Sequence, residues 1–135
     1  MPPRVREPRW LNRTIIDSIH TQQIREHGGL SGIRDENVLE SALARPRNKW
    51  TYGEERDIAS LAAAYAFAFV TSHPYGDGNK RIGFLAIVTF LGINGYDFDT
   101  TDIDVVTEIL KLAAGKVSER QLADWVRQRT KPVKK

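Results

Sequence analysis

Apolar positions recur at helical spacing along nearly the whole chain, and strand-like alternation is almost absent. A first amphipathic stretch runs from about Trp10 to His27 and is closed by Gly28-Gly29, where a glycine can adopt a left-handed cap. Asp35 is placed to cap a second helix with Val38, Leu39, Ala42 and Leu43 facing inward, ending before Pro46. Residues 46–56 are polar and aromatic around Gly53 and read as a loop or short hairpin. The third helix, about Asp57 to Ser72, is apolar almost all round between Ala59 and Val70, which marks a buried helix. Its alanines allow neighbours to approach closely. A fourth, equally apolar, runs from about Lys80 to Asn94 and stops at Gly95. Thr101 can cap a fifth over about Asp102 to Ala114, burying Ile103, Val106, Ile109, Leu110 and Ala113. The sixth opens on the capping box Ser118-x-x-Gln121, with Val117 and Leu122 placed as a hydrophobic staple, and carries Leu122, Trp125 and Val126 on one stripe. The pattern predicts an all-α fold of about six helices.

Length and composition narrow this further. At 135 residues the chain suits a single domain, 1–135, with enough residues for a hydrophobic core. There is no cysteine, which excludes disulfides and thiolate metal sites and suits a reducing cytoplasm. Met1-Pro2-Pro3-Arg4 lacks the apolar core of a signal peptide, and no apolar run reaches the roughly 20 residues that span a bilayer. A cytoplasmic protein without a membrane partner is therefore expected. The net charge of +3 suggests nucleic-acid binding only until it is located. Residues 127–135 contribute five cations and residues 1–9 a net two, so residues 10–126 carry a net −4. The excess sits in basic, flexible tails at 1–9 and 128–135, and solvated tails are favoured over nucleic-acid arms.

The chemistry concentrates between the third and fourth helices, in His73-Pro74-Tyr75-Gly76-Asp77-Gly78-Asn79-Lys80-Arg81. His73 has a side chain suited to proton abstraction near neutral pH, or it caps a helix by bonding a carbonyl. Asp77 suits Mg²⁺, which takes few protein ligands beside nucleotide phosphates, or it forms an Asx turn. Gly76 and Gly78 permit close backbone approach or simply a tight turn. Asn79 could bond a phosphate oxygen or cap the fourth helix. Lys80 and Arg81 lie where a helix presents free N–H groups, and cations are disfavoured there unless an anion is present. That misfit points to a bound phosphate, the alternative being a pair of solvated surface cations. Tyr75 is expected to pack inward, and His20 and His27 read as structural or exposed.

These residues resemble the signature of the Fic/Doc superfamily, His-x-Phe-x-Asp/Glu-Gly/Ala-Asn-Gly/Lys-Arg, with Tyr75 in the aromatic position. The stretch from Gly28 to Asp35, then Leu39 to Pro46, resembles the death-on-curing (Doc) branch. The resemblance spans about residues 10–127. It implies His73 as general base, Asp77 as Mg²⁺ ligand, Gly78 and Asn79 as an anion cradle, and Lys80 and Arg81 as phosphate ligands, with ATP as substrate. Adenylylating relatives carry Gly where this chain has Lys80, and a second Arg where it has Phe84. Doc-type toxins share the Lys, use the nucleotide in reversed orientation and transfer the γ-phosphate to a threonine of elongation factor Tu.

The resemblance thus implies a toxin kinase of a type II toxin–antitoxin system, restrained in trans by a Phd-like antitoxin. Nucleotidyl transfer and a non-catalytic helical module are the alternatives. The segment Arg45–Glu54 matches the family's target-aligning flap, where Lys49, Trp50 and Tyr52 would contact a peptide. A hairpin whose aromatics cover the core edge is the equal alternative. Glu36-Asn37 resembles the end of the family's inhibitory helix motif, but Gly32 stands where that motif needs Ser or Thr, so no built-in inhibitor is expected.

Overall fold

The computed structural model describes residues 5–133. Six helices carry the fold: α1 (Arg13–His27), α2 (Glu36–Thr51), α3 (Ile58–Ser72), α4 (Asn79–Ile93), α5 (Asp102–Ala113) and α6 (Glu119–Arg129). Two short strands, β1 (Tyr96–Phe98) and β2 (Thr130–Pro132), complete it. The fold is all-α, as the periodicity predicts, with a minor antiparallel ribbon that the periodicity does not show.

Local chemistry sets most helix starts. Asn12, Asp35, Asp57, Thr101 and Ser118 each accept a first-turn N–H through the side chain, and Ser118 with Gln121 closes the reciprocal box. The central element is α3. Leu61, Tyr65 and Phe69 are fully buried, and α2, α4 and α6 surround it. Gly83 brings α4 in close, since a Cβ there would lie 2.6 Å from Val70 Cγ2. Tyr65 sits deep in the core, where burial pushes its phenol up to about 12, and its hydroxyl accepts the Leu11 N–H at 3.0 Å.

Three expectations are corrected. Pro46 does not end α2; the helix runs on to Thr51 with Pro46 buried inside it. Proline costs the helix a hydrogen bond, but tertiary contacts hold the last turns. Lys49 Nζ donates to Glu119 Oε2 at 2.6 Å, and Trp50 packs edge-on against Trp10 at 6.3 Å. The inward stripe of α5 is Val105, Ile109 and Leu112, so Ile103, Val106, Leu110 and Ala113 are exposed rather than buried. Ile109 belongs to two apolar rows of that helix, and the row that packs inward is the other one.

The third correction concerns the expected tails, which fall within the described residues only at 5–9 and 128–133. The C-terminal one is fixed: β2 pairs antiparallel with β1 in the register Tyr96 to Pro132, and the Val133 N–H donates to the Gly95 carbonyl at 2.9 Å. Phe98 then rests edge-on against Trp125 at 5.4 Å. At the other end, Arg9 exchanges two hydrogen bonds with the Asn94 side chain. No described helix is long and apolar enough to cross a membrane.

Glu119 joins α6 to α2 by accepting from both Arg45 and Lys49. Burial acts to raise its pKa, but the bonds and charges of Arg45 and Lys49 outweigh that and hold it below the usual 4.5. A depressed folded-state pKa adds stability above the unfolded value that is lost as pH falls through the folded one. Glu119→Gln is therefore expected to melt below wild type at pH 7. The gap should begin to close below pH 4.5 and vanish at more acid pH, as thermal melts across that range would show.

Candidate active site

The signature loop connects two buried helices and is pinned from α1. Tyr75 is 2% exposed, and its ring stacks on His20 at 3.8 Å and 7°. Its hydroxyl donates to Asp17 Oδ1 at 2.7 Å, and Asp17 in turn pairs with Arg13. Burial, reinforced by that bond to a carboxylate, pushes the Tyr75 phenol far up, so it stays a donor. His20 Nε2 lies 2.8 Å from the Asp77 carbonyl. A carbonyl only accepts, so Nε2 carries the proton. Tyr75 thus packs inward as expected, and His20 is structural in a definite way, since it holds the backbone of Asp77.

Asn79 lines the cavity but its side chain does not cap α4. Its amide is buried and exchanges two hydrogen bonds with the backbone of Tyr75, at 3.1 and 3.0 Å, which closes the loop on itself. Gly78, at φ +79°, is the N-cap of α4, and no side chain caps that terminus. The Ile82 N–H makes the first helical bond, to the Gly78 carbonyl. The N–H groups of the first turn, Asn79 to Arg81, are left for an outside acceptor.

The loop opens into a cavity of about 810 Å³. His73, Asp77, Lys80 and Arg81 line it together with Phe84 of α4 and Val106 and Leu110 of α5. Arg81 Nη1 is buried and has no hydrogen-bond partner, and neither Lys80 nor Arg81 joins an ion pair among the described residues. A buried guanidinium nitrogen without a partner is costly, and its position next to an uncapped helix start is one that suits an anion.

His73 is the C-cap of α3, in the left-handed region at φ +52°, ψ +60°. Its imidazole is exposed and engaged in no hydrogen bond among the described residues, so the ring does not bond a carbonyl of the helix end. Asp77 Oδ1 accepts the N–H of the next residue, Gly78, at 2.8 Å, and Oδ2 accepts from Leu30 N at 3.4 Å. Asp77 is also one of the residues lining the cavity. Among the described residues no group of three or more His, Cys, Asp or Glu is arranged to hold a metal. A single carboxylate with spare lone pairs still fits Mg²⁺, which is commonly shared with nucleotide phosphates.

Gly29 is more than a helix stop: it provides clearance for Asp77. At φ +111° it approaches so closely that a Cβ would lie 2.6 Å from Asp77 Oδ2. Gly29→Ala is expected to destabilise the fold by about 1 to 3 kcal/mol and to push the carboxylate aside. A denaturant melt and the Mg²⁺ dependence of transfer would register both effects.

The flap residues stand apart from this cavity, and none of Lys49, Trp50 and Tyr52 lines it. Lys49 is paired with Glu119, and Trp50 lies between Trp10 and the Arg56 guanidinium, which sits 3.9 Å over its ring. Tyr52 is 83% exposed. The aromatic cover of a core edge accounts for Trp50. His27, also at the cavity, and the α5 wall carry no local motif that would have singled them out.

Fold and site together define a helical domain that sets the imidazole of His73 beside a helix start without a side-chain cap. The matching family model is that of the Fic/DOC family, over residues 10–91, and the chain belongs to this family. It is similar to the protein "Toxin Doc" of Mycolicibacterium smegmatis (strain ATCC 700084 / mc(2)155), 38% identical over 80 residues. The match covers 58% of this chain and 60% of that relative's length.

Proposed function

We propose that the chain is the toxin of a type II toxin–antitoxin pair and acts as a Doc-type kinase. It would move the γ-phosphoryl group of ATP to a Ser or Thr hydroxyl of a translation factor in the cytoplasm, elongation factor Tu being the first target to test. The observation that carries the reading is the pair of cations Lys80 and Arg81, neither ion-paired among the described residues, at an uncapped helix start beside the imidazole of His73. A polyphosphate and a proton acceptor are what such a constellation serves. Similarity to a protein named as a Doc toxin supports the toxin role. A Phd-like antitoxin is the partner this implies.

In the proposed reaction the target hydroxyl oxygen attacks the γ-phosphorus, and its proton passes to a nitrogen of His73. The bond from the γ-phosphorus to the bridging oxygen breaks, and ADP leaves with that oxygen. Backbone N–H groups of Asn79, Lys80 and Arg81, with the two side-chain cations, stabilise the charge on the transferred group. Gly78 provides the close approach. Mg²⁺, where bound at Asp77, would neutralise part of the phosphate charge. Phe84 bears on the direction of transfer: it occupies the cavity wall with an apolar ring, so no second guanidinium is available there for an adenylylating mode. Of the flap residues, Tyr52 is exposed enough to meet a target segment, whereas Lys49 and Trp50 would act by holding the end of α2.

A short pulse of expression, followed by mass spectrometry of host proteins, tests the reading. A phosphate increment on a translation factor with wild type, absent with His73→Ala, is expected. An adenylyl increment would replace kinase chemistry by nucleotidyl transfer. Growth arrest without any modification would favour a binding module.

A further inference from the structure

We propose that Arg34 is a positioning residue for His73, which it sets through the backbone at the end of α3. The proposal rests on the reading of His73 as the general base. Three consecutive carbonyls at that helix end are claimed by this one residue. Its guanidinium Nη2 donates to the Ser72 carbonyl at 2.8 Å, and its Nε donates to the His73 carbonyl at 2.5 Å. Its own backbone N–H donates to the Pro74 carbonyl at 2.8 Å, joined by the Asp35 N–H at 3.2 Å. Ile33 and Tyr75 add a bridge beside it.

The helix end needs this outside donor for a reason legible in the chain. A helix closing on a left-handed residue usually satisfies its last carbonyls with the N–H groups of that residue and the next. Here the next residue is Pro74, which has no N–H. The left-handed position is usually glycine, and here it is His73 at φ +52°. A non-glycine residue held there costs of order 1 to 3 kcal/mol and persists only when its surroundings fix it. The Arg34 fork supplies that fixation, and its charge also suits the negative end of α3. Because φ and ψ of His73 aim its Cα–Cβ bond, the fork decides whether the imidazole faces the cavity. Arg34 itself does not line that cavity and bonds only to backbone oxygens.

The test compares wild type, Arg34→Gln and Arg34→Lys in full-length protein, with His73→Ala as control. The rate of γ-phosphoryl transfer, the Mg-ATP affinity and the His73 Cα and Cβ chemical shifts are measured together. Arg34→Gln should lower turnover by about 10- to 100-fold, the effect of misplacing a reacting group by about 1 Å. Its Mg-ATP affinity should stay within about twofold of wild type, since the anion cradle is untouched. The His73 shifts should move away from left-handed values. Arg34→Lys keeps the charge but can reach only one carbonyl at a time, so it should fold and recover part of the rate.

Wild-type turnover with unmoved His73 shifts in Arg34→Gln overturns the proposal. If Arg34→Gln does not fold, Arg34→Lys decides: full turnover would make Arg34 a source of charge and stability only, which also overturns it. Failure of the underlying reading looks different. His73→Ala would then transfer phosphate as fast as wild type, whatever the Arg34 variants do.

Discussion

Replacing His73 by alanine is expected to slow phosphoryl transfer by about 10²- to 10⁴-fold, the usual contribution of a positioned general base, while the protein stays folded. The two halves of that expectation come from separate observations. The imidazole is exposed, faces the cavity and makes no hydrogen bond among the described residues, so removing it leaves neither a void in the core nor an unpaired buried group. The bonds that fix the helix end go to carbonyls of Ser72, His73 and Pro74, all of which survive the substitution. Nucleotide affinity should also survive, because the groups proposed to hold the phosphates lie on α4. Rapid-quench kinetics, a thermal melt and a nucleotide titration would together check this. A variant that keeps wild-type turnover would show that the proton leaves by another route, through water or the phosphate itself.

Arg81→Met should separate stability from function. In wild type a buried guanidinium nitrogen without a partner is held at the cavity wall, and an uncompensated buried charge is a liability to the fold. Methionine of similar length removes the liability, so the nucleotide-free variant should melt at or above the wild-type temperature. The same change removes a donor proposed to meet the transferred phosphate, which should cost about 10²- to 10³-fold in kcat/KM. Adding Mg-ATP should raise the melting temperature of wild type and leave that of the variant nearly unchanged, by linkage. The opposite pattern, a variant that unfolds easily yet still binds ATP, would make Arg81 a structural residue. Such sites commonly trade stability for function.

What the sequence made legible follows the range of the interactions involved. Caps at Asp35, Thr101 and Ser118 act over three residues, and each sits where the pattern puts it. The continuation of α2 through Pro46 could not be read, because it depends on Glu119, 70 or more positions away. The ribbon of β1 and β2 joins segments more than 30 residues apart, and neither strand is long enough to show alternation. On α5 the two apolar rows are equally good by composition, and only packing selects Val105, Ile109 and Leu112.

The site divides the same way. His73, Asp77, Lys80 and Arg81 are contiguous enough to be recognised as one constellation, and the cavity brings them together. The misfit of cations at a helix start foreshadowed the unpartnered Arg81 nitrogen. Asn79 was legible only as a polar residue near a helix start; that its amide clamps Tyr75 is a matter of loop closure. His20 and Arg34 were invisible as site residues, since they act on the loop from 57 and 39 positions away. Gly29 gave only half its meaning, the positive φ, and not its closeness to the Asp77 carboxylate.

The most direct test of the central claim is a pair of transfer reactions on purified elongation factor Tu, one with ATP labelled at the γ-phosphate and one at the α-phosphate, each repeated with His73→Ala. The account predicts label on the target from the γ-position alone, lost in the variant. Label arriving from the α-position, or γ-label that survives the loss of His73, would contradict it.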